Sequence, residues 1–396
     1  MNSIFSLIDR EHHLFSNDIS QHEATLQRII RDSKFLVLGG AGTIGQAVSK
    51  ELFSRQPKKL HIVDINENNL AELVRDVRSS YGYINGEFKT FCLDIGTKTY
   101  DAFYENDGEY DYILNLSALK HVRSERDPYT LMRLIDVNIM NTQKTLQKAI
   151  DSKVKKYFCV STDKATNPVN MMGASKRIME LYLNRASAHI NISTARFANV
   201  LCSDGSLGHS FSQRLAKGQP LVAPSDIYRY FVTPKEAGEL CLLSCLLGEN
   251  RDIFFPTLDE DDHLQSFKDI AIKFLSQHQL TPLICDTEDQ ARTAALKLPI
   301  NNQWPCFFTQ STTTGEKDKE EFFTETEFVD YQRFNTIGII KNQIQQDHAT
   351  LDCFNETIIR LQREGIWDKQ QIVDAFVSLL PNFTHCELNK FLDDKM

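Results

Sequence analysis

Thr162, Asp163 and Lys164 offer a hydroxyl, a carboxylic acid and an amine in three successive positions. Such a set can deliver a proton to one atom of a substrate and remove one from another, the work of a general acid and a general base. A second amine, Lys176, lies four residues beyond Met172, so on a helix the two would share one face. An aspartate of ordinary pKa ~3.9 is protonated only about once in a thousand at pH 7, and an adjacent ammonium lowers that fraction further. It needs burial to act as an acid. A lysine, ordinarily near ~10.4, must be depressed to act as a base, which the nearby Lys176 cation would assist. Neighbours on a regular strand point to opposite faces, so both groups can serve one substrate only if the strand has ended by Asp163. Which of the two is acid and which is base stays open. Read alone, Ser161–Lys164 is equally a polar loop with Thr162 or Asp163 capping a helix, so its setting in the chain has to decide.

That setting is a nucleotide-binding one. Lys156–Ser161 is apolar and rich in β-formers, as a buried parallel strand is, and the polar cluster begins where it ends. Ligands of open α/β sheets bind at such strand ends. Far upstream, the short apolar strand Lys34–Leu38 runs directly into GGAGTIG, with glycines at 39, 42 and 45. Gly39 permits a tight turn, Gly42 lets the backbone approach a pyrophosphate, and Gly45 lets the helix pack on the strand. Thr43 and Ile44 complete the turn, and the helix over Gln46–Phe53 presents its N-terminus to phosphates. The next strand, Leu60–Asp64, ends in an acid 19 residues beyond Gly45, where an acid binds ribose hydroxyls. No arginine stands beside it to hold a 2′-phosphate, so NAD is expected rather than NADP.

The alternation continues. Phe88–Asp94 reads as a third strand, with Asp94 and Ile95 placed toward the adenine end of the cofactor. Tyr112–Ser117 reads as a fourth, leading through Ala118 to Lys120 and His121. A helix through Val137, Met140 and Leu146, carrying Asn138, precedes the strand that ends at Ser161. Strand–helix repeats of this length predict an α/β fold built on a Rossmann-type doubly wound parallel sheet.

Composition narrows the function classes. A chain of 396 residues suits two domains, and 41% hydrophobic residues can build a sizeable core. With a net charge of −9 and no basic stripe, nucleic acid is not an expected partner. The 9 cysteines are odd in number and form no C-x-x-C pair; with no signal peptide, they read as reduced thiols in a cytoplasm. No apolar run approaches the ~20 residues that span a bilayer. Neither a membrane nor a metal is expected.

The motifs S-T-D-K-A-x-N-P-x-N-x-M-G-A-S-K-R, L-x-K-H-V before them and R196-F-A-N-V200 after them together carry a resemblance. The chain resembles the CapD-like polysaccharide biosynthesis group of extended short-chain dehydrogenase/reductases, whose best-known members are UDP-N-acetylglucosamine 4,6-dehydratases. The likeness runs from about residue 34 to 323. It departs from the group at Cys202, which replaces a glycine in A198-N-V-L-C-S-D-G-S-L207, and at T313-T-G-E-K-D-K-E320, which lacks an arginine and a proline. Compared with the Y-x-x-x-K pair of ordinary short-chain dehydrogenases, Met172 stands where a tyrosine is expected. A thioether cannot accept a proton, so Met172 is expected to line the site while Thr162, the Asp163/Lys164 pair or a water takes the carbon 4 hydroxyl proton.

The resemblance implies NAD-dependent 4,6-dehydration of a UDP-sugar for bacterial surface glycans or rare sugars, in a cytoplasmic homo-oligomer. Asp163 and Lys164 would be the acid/base pair, with Thr162 beside them, and Lys176 would bond the nicotinamide ribose. Asn138 would hold a helix kink and a water, and Ser117 and Ala118 would lie against the cofactor. Lys120 and His121 would reach the sugar, and Asn199 and Arg229 the diphosphate. A nucleotide-sugar 4-epimerase and a non-catalytic NAD-binding regulator are the alternatives. The expected layout is a helical appendage over 1–33 and a nucleotide-binding domain over 34–200 that also receives about 228–256. A smaller α/β substrate-binding lid from 201–227 and 257–340 and a helical tail over 341–396 complete it.

Overall fold

The computed structural model describes residues 4–259, 263–298, 301–311, 321–343 and 349–385. Six strands alternate with helices: β1 (Lys34–Leu38), β2 (Lys59–Asp64), β3 (Glu87–Cys92), β4 (Tyr112–Asn115), β5 (Lys156–Thr162) and β6 (Asn191–Phe197). They run parallel in the order β3-β2-β1-β4-β5-β6. β1 and β5 are buried along nearly their whole length, which is why they read as continuous apolar runs without alternation. The winding direction reverses between β1 and β4, so their C-terminal ends flank the crevice where such sheets receive ligands. β3 and β4 each end two residues before the limits read from sequence, which leaves Asp94 and Ser117 in the turns beyond them.

Beyond β6 the sheet gains Asp252–Pro256 in parallel, then Ile337–Lys341 and Val329–Asp330 antiparallel. The layout read from sequence placed these last two strands in the lid. They belong to the main sheet instead, because the apolar run Ile337–Ile340 finds an unpaired edge at Asp252–Pro256. Two small sheets make up the second body. One holds Leu221–Pro224, Thr281–Ile284 and Gln303–Thr309, all parallel; the other holds Asn199–Val200, Tyr228–Val232 and Leu264–Ser266. Tyr228–Val232 thus lies in a small separate sheet, although the sequence reading assigns it to the nucleotide-binding domain. The helix that follows, Pro234–Leu247, returns to pack on helix Thr43–Ser54, and its Leu240, Cys241, Leu242 and Cys245 enter the principal core. Buried on nearly every side, that helix shows no polar stripe for sequence reading to use.

The N-terminal appendage laps both bodies. Leu7 and Ile8 enter the lid core, while Phe15, Leu26 and Ile30 enter the main one. Buried Asp18 accepts hydrogen bonds from the Asn335 and Thr336 backbone. At the other end, helices Ala349–Glu364 and Lys369–Leu379 pack on Pro128–Ile135 and Met171–Ala186 in a separate apolar cluster. Residues 260–262, the segment 313–320 and the end of the expected helical tail, 386–396, lie outside the described residues. No helix among the described residues is long and apolar enough to cross a membrane.

Candidate active site

The glycine turn is built by close approach. Gly39 has φ +71°, and a Cβ there would lie 2.7 Å from the Ser117 nitrogen, against the loop that follows β4. At Gly45 a Cβ would meet the Gly39 carbonyl oxygen at 2.2 Å, so helix Thr43–Ser54 can sit on the turn only with glycine there. At Gly42 it would meet nothing nearer than 3.8 Å; that position faces open space at the helix N-terminus, where backbone amides suit an anion. The Asp64 carboxylate ties the turn to β2, accepting from Ala41 N and Asn66 N, each at 2.9 Å. Gly45→Ala should therefore displace the turn itself. The expected result is at least a tenfold loss of NAD affinity by fluorescence titration, with a smaller fall in melting temperature.

Around the crevice, Asp94 pairs with Arg133 at 3.0 Å and accepts from Gly96 N at 2.8 Å, beside buried Ile95. Ser117 N donates to Asn115 Oδ1 at 3.1 Å. Asn138 sits in a single π-helical turn, Asp136–Met140, and is fully buried. Its amide exchanges two hydrogen bonds with the Leu119 backbone and donates to Ser175 Oγ, all at 3.0 Å. A mid-helix asparagine thereby joins the loop after β4 to the helix that carries Lys176. Such bulges recur at functional sites because the widened turn frees a side chain to point inward.

β5 ends at Thr162 and the chain turns at once into a short 3₁₀ helix, Asp163–Ala165. The break needed to bring Asp163 and Lys164 to one side is present. Lys164 Nζ lies 3.2 Å from Asp163 Oδ2, and the Thr162 hydroxyl donates to Asp163 Oδ1 at 2.6 Å. Asp163 is 2% exposed, so the burial an acid would require is there. Helix Met171–Ala186 then places Met172 and Lys176 one turn apart, both buried. Lys176 Nζ donates to Val160 O at 3.0 Å, and burial pushes its ammonium below the ordinary lysine range.

A loop closes the crevice from the lid side. Asp204 N donates to Thr43 Oγ1 at 3.0 Å, and Lys120 Nζ reaches Ser203 Oγ at 3.4 Å. Gly205, at φ +72°, lets the His121 ring approach; a Cβ there would be 2.9 Å from Nε2. Burial, then the Lys120 and Arg123 cations, push the His121 imidazolium below its usual range, which favours the neutral ring. Asn199 and Arg229 stand in the same small sheet, the arginine 4% exposed and donating to Tyr228 O at 2.8 Å. The candidate residues therefore fall in two groups: a set at the C-terminal ends of β1 to β5 and on the helices beside them, and the pair Asn199 and Arg229 in a small sheet.

Sequence reading missed the anchor beneath the first group. Fully buried Arg196, on β6, bonds Glu180 at 2.9 and 3.0 Å, Glu327 twice at 2.9 Å, and Phe322 O at 2.7 Å. Glu180 also accepts from Ser161 Oγ at 2.7 Å, one residue before Thr162. Burial alone would raise the Glu180 carboxyl, but the Arg196 charge and its hydrogen bonds hold it down at about 2. No spacing rule links residues 180, 196 and 327, so only the R-F-A-N-V motif hinted at this arginine.

A sequence model of the family described as polysaccharide biosynthesis protein matches residues 35–342. The capsular polysaccharide biosynthesis protein CapD of Staphylococcus aureus is 30% identical over 236 residues, 58% of this chain. The match spans 39% of the length of that relative. Among solved structures, the UDP-N-acetylglucosamine 4-epimerase of Methanobrevibacter ruminantium has 17% identity and a TM-score of 0.55, covering 75% of this chain and 90% of its own. DesIV, a dTDP-glucose 4,6-dehydratase from Streptomyces venezuelae solved with NAD bound, also has 17% identity, with a TM-score of 0.56 over 84% of this chain and 98% of its own. The two structures share the fold described above.

Proposed function

The chain belongs to this polysaccharide biosynthesis family, and from that premise we propose that it catalyses NAD-dependent 4,6-dehydration of a nucleotide sugar. The substrate is UDP-N-acetylglucosamine, converted to the UDP-4-keto-6-deoxy sugar for surface glycan synthesis. One observation carries this reading: Thr162, Asp163 and Lys164 form a hydrogen-bonded acid/base set at the end of β5. A simple epimerase has no use for that set, and Met172 stands where its tyrosine would act.

The residues present fit NAD. The open side of Gly42 and the helix N-terminus suit the pyrophosphate. Asp64 has used one lone pair on each oxygen, which leaves both oxygens able to accept ribose hydroxyls. Lys176, held by Val160 O, has further donors for the nicotinamide ribose and adds positive potential beneath the site. Bound NAD supplies a reversible hydride acceptor, so the reaction is redox-neutral overall.

The short Thr162–Asp163 hydrogen bond supports a proton path. Thr162 Oγ1 takes the carbon 4 hydroxyl proton while passing its own to Asp163 Oδ1, 2.6 Å away. This gives the aspartate the proton it then delivers to the leaving hydroxyl. Oxidation at carbon 4 acidifies carbon 5, whose proton goes to Lys164 Nζ as the neutral amine, its own proton having first passed to solvent, and Asp163 protonates the carbon 6 hydroxyl, which leaves as water. The hydride taken from carbon 4 ends on carbon 6, and a proton returns to carbon 5 from Lys164. The Lys164 side chain is 26% exposed, so that proton exchanges with solvent before it returns. Lys120 and His121 face the sugar, and Asn199 and Arg229 the diphosphate, where the arginine fork suits phosphate oxygens.

Proton NMR of UDP-N-acetylglucosamine incubated with the protein in D2O tests this. The expected product has a new carbon 6 methyl group and deuterium at carbon 5, formed without added NAD being consumed. A galacto isomer with carbon 5 still protonated would mean an epimerase, and unchanged substrate over NAD-loaded protein a regulator. Met172→Leu, which keeps a buried apolar side chain of similar volume, should retain at least a third of the turnover in the same assay.

A further inference from the structure

Glu125 is not among the candidate residues, yet it links two parts of the first group, the Lys120/His121 loop and the Met172/Lys176 helix. It closes the short helix Val122–Glu125 that directly follows Lys120 and His121. The side chain is 1% exposed, and its Oε2 accepts the Met171 N–H at 2.7 Å. Met171 opens the helix that carries Met172 and Lys176, and the next two turns of that helix hold Ser175 against Asn138. A buried carboxylate at a helix N-terminus is also favoured by the helix dipole.

The other side of Glu125 is closed by the C-terminal segment. His385 Nε2 lies 3.6 Å from Glu125 Oε2, and its side chain is 7% exposed. Among the described residues neither Glu125 Oε1 nor His385 Nε2 has a hydrogen-bond partner. The tail helices meanwhile cover Met171, Ala174, Ile178 and Tyr182 with Leu351, Phe354, Ile358 and Phe376. Tyr182 donates to Leu351 O at 2.9 Å, and Gln362 donates to Asp136 in the π-helical turn at 2.5 Å. The tail is therefore fastened to the two helices that set the crevice.

We propose that Glu125 is a positioning residue for the reaction, fixing the first turn of the Met172/Lys176 helix to the Lys120/His121 loop, with the C-terminal segment sealing it from behind. The proposal rests on the dehydratase reading for its effect on rate, but its structural half stands apart from it. Its essence is reach: an acceptor must arrive 2.7 Å from Met171 N. Glutamine keeps that reach without the charge, whereas aspartate keeps the charge and falls one methylene short.

The test compares Glu125→Gln with Glu125→Asp in the full chain. E125Q should keep kcat within about fivefold of wild type and leave amide hydrogen exchange over residues 171–176 unchanged. E125D should lower kcat at least twentyfold with KM within threefold, and speed exchange over the same residues at least tenfold. Equal effects in the two variants, or the reverse order, would overturn the proposal, because both mean that charge or bulk is what matters. Hydrogen exchange reads the anchor whether or not the substrate is the one named above. Loss of the exchange difference therefore rejects the anchor, and absence of wild-type turnover rejects only the function.

Discussion

Asp163→Asn and Lys164→Ala should each lower turnover by roughly 10²–10⁴-fold, the usual range for loss of a general acid or base. Asparagine fills the same buried space and can still accept from Thr162, but it cannot carry a proton to the leaving hydroxyl. Removing the Lys164 amine deletes the group proposed to take the carbon 5 proton and leaves the buried aspartate without its ion-pair partner. NAD content and substrate affinity should change far less, since neither residue lies at the glycine turn or on the lid. Steady-state kinetics on UDP-N-acetylglucosamine, with bound NAD measured in parallel, checks both. Near-normal turnover in either variant would remove the chemistry from this segment.

The second large effect is on stability. Arg196→Met should destabilise the protein by about 3–5 kcal/mol, the cost of breaking a buried ion pair, with only the partly exposed Arg177, 3.0 Å from Glu180, left to offset the charge. Here two carboxylates, Glu180 and Glu327, would face each other across the vacated guanidinium. The pH dependence gives a sharper check. Glu180 titrates at about 2 in the folded chain against 4.5 when unfolded. A depressed carboxyl contributes stability that is fully present above pH 4.5 and is lost as pH falls from there towards 2. From the size of the shift this contribution is about 3 kcal/mol. Other depressed carboxylates, Asp76 and Asp101 among them, cost both proteins stability in this window, so the wild-type protein should lose about that much more than the variant in urea unfolding, and the two curves converge in acid. Parallel curves would mean that Arg196 does not hold the charge on Glu180. Because Glu180 also bonds Ser161, the variant should lose turnover as well, through displacement of Thr162 and Asp163.

Local signals carried much of this protein. The glycine triplet, the acid closing β2 and the apolar runs of β1 and β5 are short-range patterns, since turn sterics and strand burial act within a few residues. The i, i+4 spacing of Met172 and Lys176 needs only a helix to hold. Even the condition that β5 must end by Asp163 was legible, because pleating alone forbids the alternative. The tertiary structure decided what depends on distant partners. Strands Ile337–Lys341 and Val329–Asp330 join the main sheet because an edge made at Asp252–Pro256 is free to pair, and no local pattern announces that edge. Thr43 meets Asp204, and Asn138 meets Leu119 and Ser175, through contacts of 19 to 161 residues' separation. Arg196 gathers two carboxylates from different elements, and Glu125 reaches across to a helix that starts 46 residues later. Side-chain chemistry is written in the sequence one residue at a time. Which charges share one buried space is set only when the sheet order brings their strands together.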